Sequence, residues 1–462
     1  METFQLSRIA RLLNGKLCGT DTICAGVSTD SRRLNPGDLF IALRGPNFDG
    51  HAFIPMAVER GAGGALVELT AEAGLSQVQV ADTRLALGRL GASVRDSFCG
   101  PLIAVTGSNG KTTVKEMIAA ILRVSGAPVL ATRGNLNNDI GLPLMLLELS
   151  PAHTFAVIEM GANHPGEIAY LTDLTRPSVA LITNAGPAHL EGFGDLDGVA
   201  RAKGEIYQGL GVKGIAVINR DDAYADYWLR LNVNAGRQVV EFALERSAQV
   251  TGEILNARHN LFRLNIAGQS REIELPLTGR HNVCNALAAA AATYAAGIDL
   301  DQISQGLQSV AAVKGRLRRL PGSHNSVIID DTYNANPASL SAALAALAES
   351  AGVNWLVLGD MAELGPTTEA LHEQAGIQTR AAGFRRMFTL GKHSRRAGVA
   401  FGPNSEHFAD VQLLVEALSR ALAASDVAPT ILIKGSRSMA MERIVQALAI
   451  QQSGGEGQEG RS

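Results

Sequence analysis

The chain has 462 residues, more than a single hydrophobic core ordinarily organises, so we expect two to four domains. Apolar residues make up 46% of the sequence and charged residues 18%, a composition that supports buried cores and excludes a largely disordered chain. The formal net charge is -3 and no long basic segment is present, which argues against a protein that coats nucleic acid.

Targeting and redox signals are weak. No stretch approaches the ~18 consecutive apolar residues that a membrane helix needs, and the first residues mix charged and apolar side chains, unlike a signal peptide. The cysteines show neither CxxC spacing nor the density of a disulfide-rich protein; they are Cys18, Cys24, Cys99 and Cys284. We therefore expect a cytoplasmic protein with reduced thiols and no membrane segment.

Residues 1–82 predict a first unit. It opens with an amphipathic, helix-like stretch whose apolar positions are Phe4, Ile9, Leu12 and Leu13. Short apolar runs such as residues 38–43 follow. A predicted helix over residues 83–98 then leads to a strand over residues 102–105.

The middle of the chain alternates apolar runs with helical stretches. The runs are unbroken, as expected of strands that are buried on both faces of a parallel sheet; they cover residues 155–158, 179–182 and 215–218. An alanine-rich helix is predicted over residues 283–296, stopped by Gly297. These features predict a second unit, residues 83–312.

The same rhythm restarts after residue 313. Apolar runs each precede a turn, at residues 327–329, 355–358, 387–390 and 430–433. Helical stretches between them predict a second doubly wound α/β domain over residues 313–452. The polar, glycine-rich tail, residues 453–462, is predicted to be disordered.

The strongest local signal is a predicted phosphate-binding loop within residues 104–113. A strand runs into a glycine-containing turn and then into a helix that begins near Lys111, so backbone N–H groups can surround phosphate oxygens. Lys111 would pair with the β- and γ-phosphates, and the Thr112 hydroxyl would ligate Mg²⁺. The general pattern wants a glycine at Val105, and a glycine-rich turn alone is often only a turn. The strand before it and the helix after it favour ATP binding, by Gly107, Ser108, Asn109, Gly110, Lys111, Thr112 and Thr113.

Polar side chains follow two of the predicted buried strands. Glu159 comes directly after one apolar run, and the polar segment 183–189, which ends in His189, follows the next. The carboxyl ends of parallel strands would lie beside the phosphate loop, where a Mg²⁺ ligand is needed. Each residue has a plainer interpretation, as an ordinary strand-end glutamate or a solvated loop histidine. By the same physical reasoning Lys203 would be a helix-surface lysine.

These motifs in this order resemble the Mur ligase superfamily. The TGSNGKTT form of the phosphate loop, without glycine at Val105, is that family's variant, and the resemblance extends over the whole chain apart from the tail. It implies an α/β protein with three domains: a small N-terminal α/β UDP-binding domain, a central P-loop ATPase domain with a mostly parallel sheet, and a C-terminal Rossmann-like domain that binds the amine substrate.

The resemblance also implies roles for further residues. Two Mg²⁺ ions would be held by Thr112, Glu159, His189 and Lys203, the lysine as a carbamate. Asn282, in an HNxxN-like helix start, Arg316 and Asp331 would bind the nucleotide, Asp331 at the ribose or in a domain-closing contact. The plainer interpretations are a helix-capping asparagine, a solvated arginine and a turn aspartate.

Residues 330–337 indicate which member of the family is closest. They are similar to the DxYNANP signature of the ligases that add D-alanyl-D-alanine, whereas the DNPR motif of the diaminopimelate-adding ligases and the DGAHNP-like segment of folylpolyglutamate synthases are absent. The likeness implies dipeptide binding by Tyr333, Asn334 and Asn336. Residues 133–141 and 28–31 likewise resemble segments that bind the UDP-linked substrate, through Ser28, Thr29, Asp30, Ser31, Asn135, Asn137 and Asn138; the segment 28–31 can also be read as an ordinary turn. Residues 45–51 resemble a UDP-binding segment too, or a surface loop.

The implied function is an ATP-dependent amide ligase that joins D-alanyl-D-alanine to UDP-N-acetylmuramoyl-tripeptide through an acyl phosphate. Catalysis would use Lys111, Lys203, His189 and Arg316, with no nucleic-acid partner, and we expect a monomer. One alternative is another Mur-type or folylpolyglutamate-type amide ligase. A second is a regulatory P-loop NTPase without ligase activity.

Overall fold

A computed structural model describes residues 4–72, 74–256, 259–311, 313–348 and 352–450. Its strands form three main sheets, of five, nine and six strands, and two small two-stranded ribbons. The predicted disordered tail, residues 453–462, lies outside the described residues. Among the described residues, no helix is both long enough and apolar enough to span a bilayer.

The first unit is a small α/β sheet. Its elements are β1 (Phe4–Gln5), α1 (Leu6–Leu13), β2 (Lys16–Cys18), β3 (Ile23–Cys24), β4 (Val27–Ser28), β5 (Leu39–Ile41), β6 (Arg44–Gly45), β7 (Phe48–Asp49), α2 (Ile54–Glu59), β8 (Gly64–Val67) and β9 (Gln77–Gln79); α3 (Thr83–Asp96) follows and opens the central unit. Five strands pair in the order β2-β9-β8-β5-β4. Helix α1 is amphipathic as predicted and buries Ile9, but Phe4 belongs to a strand and Leu12 faces solvent.

The central unit contains the nine-stranded sheet. Its elements are β10 (Leu102–Thr106), α4 (Lys111–Arg123), β11 (Val129–Ala131), α5 (Gly141–Leu146), β12 (Phe155–Glu159), α6 (Glu167–Thr175), β13 (Val179–Ile182), α7 (Leu190–Phe193), α8 (Leu196–Gly204), β14 (Ile215–Asn219), α9 (Ala225–Asn234), β15 (Gln238–Ala243), β16 (Val250–Asn256), β17 (Leu261–Ile266), β18 (Gln269–Glu274), α10 (Arg280–Ala295) and α11 (Leu300–Gln308). The strand order is β11-β12-β10-β13-β14-β15-β16-β17-β18. Every pairing from β11 to β16 is parallel, and the last two are antiparallel.

Two layers of helices cover this sheet. Helices α4, α10 and α11 bury one face, and α3, α5, α6 and α8 bury the other together with α1 of the first unit. The strand β10 alternates between the layers, since Leu102 and Ala104 face one and Ile103 and Val105 the other. The apolar runs therefore form doubly buried parallel strands, as predicted. The antiparallel edge, β16 to β18, is a feature that those runs do not predict.

The last unit is a six-stranded α/β sheet. Its elements are β19 (Arg318–Pro321), β20 (Val327–Asp331), α12 (Pro337–Ala348), β21 (Asn354–Gly359), α13 (Thr368–Ala381), β22 (Arg386–Leu390), α14 (Ser394–Phe401), β23 (Ser405–Phe408), α15 (Val411–Ala423), β24 (Thr430–Lys434) and α16 (Glu442–Leu448). The order is β19-β20-β24-β21-β22-β23, and only the pairing of β19 with β20 is antiparallel. Four of these strands coincide with the predicted apolar runs, within one to two residues. Short 3₁₀ helices lie at Gly50–Phe53, Glu205–Gly209, Ser323–Asn325, Gly365–Thr367 and Arg437–Met439.

The register of the central strands decides where the polar residues gather. In the parallel pairs, Val105 lies opposite Glu159 on one side and opposite Leu181 on the other. The turn after β10, the carboxylate that ends β12 and the polar segment after β13 therefore leave the sheet at one edge. The carboxyl ends of β20 and β24 contribute Asp331 and Lys434 to the same cleft from the last unit.

Candidate active site

The turn between β10 and α4 depends on two glycines. Gly107 has φ of 148° and Gly110 has φ of 81°, values that side-chain-bearing residues rarely adopt. A Cβ atom on Gly107 would stand 1.9 Å from Thr183 Oγ1, and one on Gly110 would stand 2.4 Å from Asn285 Oδ1. Any other residue at either position would displace the neighbouring segment that supports the loop.

The polar segment after β13 holds this loop in place. Asn184 accepts hydrogen bonds from Ser108 N (3.0 Å) through its carbonyl and from Asn109 N (3.0 Å) through its side chain. The Thr183 hydroxyl donates to the Asn109 carbonyl (2.6 Å). The Lys111 ammonium folds back on the loop and donates to the Gly107 carbonyl (2.7 Å). Burial lowers the pKa of Lys111, and the nearby carboxylate of Glu159 opposes that shift.

A cavity of about 430 Å³ opens beside the loop, between the central and last units. The predicted nucleotide ligands Gly110, Asn282, Arg316 and Asp331 all line it. Asn282 sits in the first turn of α10, where its side chain donates to the Thr278 carbonyl (2.8 Å). The helix begins at Arg280, three residues before the predicted start. The cavity therefore combines the phosphate loop, a helix start and the junction between two units, as a nucleotide site requires.

Arg316 reaches from the junction to the phosphate loop. Its Nη2 donates to the Thr112 hydroxyl at 3.2 Å, and its guanidinium lies over the Tyr333 ring, 4.1 Å from the centroid. Its Nε is buried without a partner among the described residues. A fixed guanidinium with a free donor at the loop is suited to contact a phosphate oxygen.

Asp331 forms a buried ion pair with Lys434. The Lys434 Nζ lies 2.5 Å from Asp331 Oδ2 and also donates to the Asn334 carbonyl at 3.0 Å. The other carboxylate oxygen of Asp331 accepts from the backbone N–H of Leu317 at 3.3 Å. Lys434 was not among the predicted site residues. Its position at the carboxyl end of an apolar strand is the signal that could have identified it.

Glu159 provides the clearest sign of a cation site. Its side chain is buried; Oε1 accepts from Asn137 Nδ2 at 2.8 Å, whereas Oε2 is buried with no partner in the described part of the chain. Glu159 lines a second cavity, of about 290 Å³, together with Lys111 and His189. A buried carboxylate oxygen without a partner is costly, and it fits a bound cation.

Lys203 lies in α8, and the structure contradicts the helix-surface interpretation. Its side chain is only 1% exposed, and its ammonium lies 5.5 Å from the centre of the Phe193 ring. Burial, with a smaller contribution from the charge of Lys111, lowers the pKa of Lys203 to about 7. A large share of the amine is therefore neutral near pH 7. Within the described residues, no three His, Cys, Asp or Glu side chains are arranged to hold a metal ion.

His189 and Glu363 meet across the cleft. His189 Nδ1 lies 2.5 Å from Glu363 Oε2, although the ring N–H does not point along that line as a hydrogen bond would. The contact lowers the pKa of Glu363 below its usual range. Glu363 was not predicted; it lies in the loop after β21, and its only sequence signal is that it follows a buried strand.

A third cavity, of about 190 Å³, lies on the side of the cleft formed by the last unit. It is lined by His189 and Glu363, by two of the three residues predicted to bind the dipeptide, Asn334 and Asn336, and by Arg437. Tyr333, the third, lines the second cavity instead. Asn336 Nδ2 donates to Asn109 Oδ1 of the phosphate loop at 2.9 Å.

The residues predicted to bind the UDP-linked substrate divide into two groups. Asn135, Asn137 and Asn138 all line the second cavity beside Glu159. The segment 28–31 instead forms a local turn, in which Ser28 and Asp30 exchange hydrogen bonds. Its residues Ser28, Thr29, Asp30 and Ser31 line none of the three cavities described here, and their role remains a prediction.

Comparison with known proteins identifies the family. The Mur ligase middle domain matches residues 105–293, the glutamate ligase domain of Mur ligases matches residues 315–437, and the catalytic domain of the Mur ligase family matches residues 24–95. The UDP-N-acetylmuramoyl-tripeptide–D-alanyl-D-alanine ligase of Escherichia coli (strain K12) is 47% identical over 97% of this chain and 99% of its own length.

Solved structures agree. A crystal structure of MurF from Acinetobacter baumannii superposes with a TM-score of 0.91 at 36% identity, covering 96% of this chain and 98% of that one. The crystal structure of MurF from Thermotoga maritima in complex with ADP superposes with a TM-score of 0.80 at 26% identity, covering 91% of this chain and 96% of that one. The chain belongs to the Mur ligase family. It is an ATP-dependent ligase with the family's three-domain α/β fold, as the sequence predicted.

Proposed function

We propose that this ligase joins D-alanyl-D-alanine to UDP-N-acetylmuramoyl-tripeptide, with conversion of ATP to ADP and phosphate, in peptidoglycan precursor synthesis. The observation that carries the proposal is the 47% identity, over nearly the full length of both chains, to a ligase of that name. The D-alanyl-D-alanine signature at residues 330–337 supports it, because Asn336 of that segment contacts the phosphate loop. We place the reaction in the cytoplasm, where ATP and UDP-linked precursors are available.

The chemistry requires activation of a carboxylate. A carboxylate is a poor electrophile at neutral pH, whereas an acyl phosphate carries a good leaving group. Transfer of the γ-phosphoryl group of ATP to the tripeptide carboxylate would give that acyl phosphate and ADP. The amine of the dipeptide would then attack the acyl carbon, and the resulting tetrahedral intermediate would expel phosphate and leave the amide. The protein supplies positioning and charge neutralisation rather than a nucleophile.

The residues of the cleft fit these tasks. Lys111 and Arg316 present two cations to the loop where the transferring phosphoryl group would lie. Asn135, Asn137 and Asn138, which line the second cavity together with Lys111 and Arg316, would hold the acyl substrate. The loop-facing amide of Asn336 and the neighbouring Asn334 would orient the dipeptide. Asn282 and Asp331 would contact the nucleoside in the cavity beside the phosphate loop.

Two Mg²⁺ ions would be held by Thr112, Glu159, His189 and the carbamate of Lys203. The buried, unpartnered Oε2 of Glu159 supports a cation there, and bound Mg²⁺ would neutralise phosphate charge. Carbamylation joins the neutral Lys203 amine to CO₂, forms an N–C bond and releases one proton. The pKa of about 7 supports this reaction, because only the neutral amine is nucleophilic. The product replaces an ammonium, which would repel Mg²⁺, with an anionic oxygen ligand.

A coupled ADP-release assay on the purified chain tests the proposal. ADP release should require both UDP-N-acetylmuramoyl-tripeptide and D-alanyl-D-alanine, and one amide should form for each ADP. Release driven instead by a folate and glutamate would favour a folylpolyglutamate-type ligase. ATP turnover without any amide product would favour a regulatory NTPase.

Three contacts already join the last unit to the central cleft, at Thr112, Asn109 and His189. We therefore expect the described arrangement to correspond to a closed enzyme and substrate-free enzyme in solution to open at the junctions near residues 82 and 313. X-ray scattering with an ATP analogue and the UDP-linked substrate should give a smaller radius of gyration than the apo chain. Identical profiles would contradict this expectation.

A further inference from the structure

The contact between His189 and Glu363 joins two loops that are far apart in the chain. His189 follows β13 in the central unit, and Glu363 follows β21 in the last unit; their side chains approach to 2.5 Å between Nδ1 and Oε2. His189 is 24% exposed and Glu363 51%, so the contact lies at the mouth of the cleft. Its two partners belong to the two sides that move relative to each other if the enzyme opens.

Both residues have an unusual backbone conformation. His189 has φ of 54° and Glu363 has φ of 62°, in the left-handed region that non-glycine residues seldom occupy. Such conformations persist where the surrounding structure fixes them, and they cluster at functional sites. The meeting of two such residues indicates a constructed contact rather than a chance encounter of surface side chains.

His189 lies between Glu363 and the cavity that contains Glu159. The ring lines the second cavity together with Glu159, and it also lines the third cavity together with Glu363. Imidazole has two nitrogen atoms, and Nδ1 faces Glu363. A proton on Nδ1 leaves Nε2 of the neutral ring unprotonated, with the lone pair that a metal ion requires. A histidine that binds a metal through one nitrogen usually directs its other N–H to a carboxylate or carbonyl, which fixes the ring's tautomer and orientation.

We propose that Glu363 is the positioning residue of His189. From the last unit it accepts the Nδ1–H of His189 and holds Nε2 towards the cation site at Glu159, so docking of the last unit completes that site. The inference rests on the proposed function, because it takes His189 as a metal ligand. The two atoms are within hydrogen-bond distance, and a small rotation of either side chain would align the Nδ1–H with the carboxylate.

Glu363 has one competing role. It lines the dipeptide-side cavity together with Asn334 and Arg437, so its carboxylate could instead receive the ammonium group of the incoming dipeptide. The two roles predict different measurements. A positioning role acts on metal affinity, whereas a dipeptide-binding role acts on the KM for D-alanyl-D-alanine.

The chain offers a matched control for the test. Glu369 also pairs with a histidine, His393, with a distance of 2.6 Å between Nδ1 and Oε1, but on the outer surface of the last unit. Glu363→Gln and Glu369→Gln each replace a histidine-bound carboxylate with an isosteric amide. Circular dichroism and ADP affinity should match the wild type for both variants, because neither side chain lies in a core or in the nucleotide cavity.

Mn²⁺, used in place of Mg²⁺, is the probe. Binding of Mn²⁺ to the full chain with ADP, followed by electron paramagnetic resonance, should weaken about 10–100-fold in Glu363→Gln and remain unchanged in Glu369→Gln. In steady state, Glu363→Gln should need more metal for half-maximal rate, with an unchanged KM for D-alanyl-D-alanine. Unchanged Mn²⁺ affinity would overturn the proposal, and a raised dipeptide KM alongside it would assign Glu363 to the dipeptide.

A spectroscopic signature provides a second readout. In the ¹⁵N-histidine spectrum of the ADP–Mg²⁺ complex, His189 should carry its proton on Nδ1, and Glu363→Gln should change that tautomer balance. A His189 signal that is insensitive to Glu363→Gln would also overturn the proposal. Failure of the proposed function would be seen separately, as wild-type enzyme that releases no ADP with the named substrates, and it would leave the Mn²⁺ comparison interpretable.

Discussion

The two walls of the cleft are built on different principles. On the central wall, each polar group is fixed by its own sheet: Asn184 and Thr183 hold the phosphate loop, and the register of β12 fixes Glu159. On the wall formed by the last unit, Arg316 and Glu363 take their positions from contacts across a junction. The central wall is therefore pre-organised, whereas the other wall depends on contacts between the two units. Variants on the two walls should differ in both size and kind of effect.

The largest effect should come from Lys111 on the central wall. Lys111→Ala removes a cation from the phosphate loop, and a cation that stabilises a transferring phosphoryl group is worth ~10³–10⁵-fold in rate. We expect a loss of kcat in that range in the ADP-release assay, with the fold unchanged by circular dichroism. Lys213→Ala, at an exposed lysine of the same unit, is the control. Activity close to wild type in Lys111→Ala would contradict the site assignment.

On the wall of the last unit, the buried ion pair of Asp331 and Lys434 should affect stability. Lys434→Met leaves the buried carboxylate of Asp331 without its partner, and removal of one member of a buried pair costs about 3–5 kcal/mol. Trp355 lies in the core of the last unit and Trp228 in the core of the central unit. In a Trp228→Phe background, tryptophan fluorescence during urea unfolding therefore reports on the last unit alone. The midpoint of the Trp355 fluorescence transition should move to a lower urea concentration in Lys434→Met.

A paired substitution distinguishes the ion pair from simple loss of packing. Lys434→Met combined with Asp331→Leu removes both charges, and it should recover much of the lost stability, because replacing a buried pair with apolar residues is often neutral. Equal unfolding midpoints for the single and double variants would show that the carboxylate is not the cause.

The central wall could be predicted from the sequence better than the wall of the last unit, because its residues are positioned by a single sheet. Glu159, Lys111 and His189 follow apolar strands, and parallel strand ends share an edge, so the sequence places them together. Lys434 lies beside Asp331 because β20 and β24, which are far apart in the chain, are neighbours in the sheet. Glu363 follows a strand of the last unit, but its partner His189 belongs to the central unit. No local pattern encodes such a pairing.

The sequence pattern also did not predict the burial of Lys203 or the antiparallel edge of the central sheet. Lys203 stands in a short helix, and nothing in its neighbours indicates that a lysine would be buried beside Phe193. Strand β17 alternates buried apolar and polar residues, but its neighbours β16 and β18 each bury only one residue, so the apolar runs alone do not predict the antiparallel extension of the sheet. The segment 28–31, in contrast, forms a local turn, in which Asp30 exchanges hydrogen bonds with Ser28 and accepts others from Arg32. Its proposed ligand depends on resemblance alone.

Substitution of Lys203 tests whether the central wall carries the proposed carbamate. If Lys203 carries the proposed carbamate, Lys203→Ala should lower kcat by about 10²-fold or more, because it would remove an anionic metal ligand. Acetate or formate should then restore part of the activity by occupying the vacated anionic position. Lys213→Ala should show neither loss nor response to these salts. Absence of both effects in Lys203→Ala would mean that the buried amine has only a structural role.

The smallest effect should come from the contact of Asn336 with the phosphate loop, because it is one neutral hydrogen bond at a partly solvated interface. Its Nδ2 donates to Asn109 Oδ1, while its Oδ1 accepts from Ser339 N in the first turn of α12. Asn336→Ser keeps a neutral helix-capping acceptor and loses the donor that reaches Asn109, so kcat/KM should fall about 2–10-fold with unchanged stability. Asn336→Ala loses both bonds and should also lower the free energy of unfolding of the last unit by about 1 kcal/mol. If Asn336→Ser changed stability but not kcat/KM, the bridge to the phosphate loop would have no part in closure.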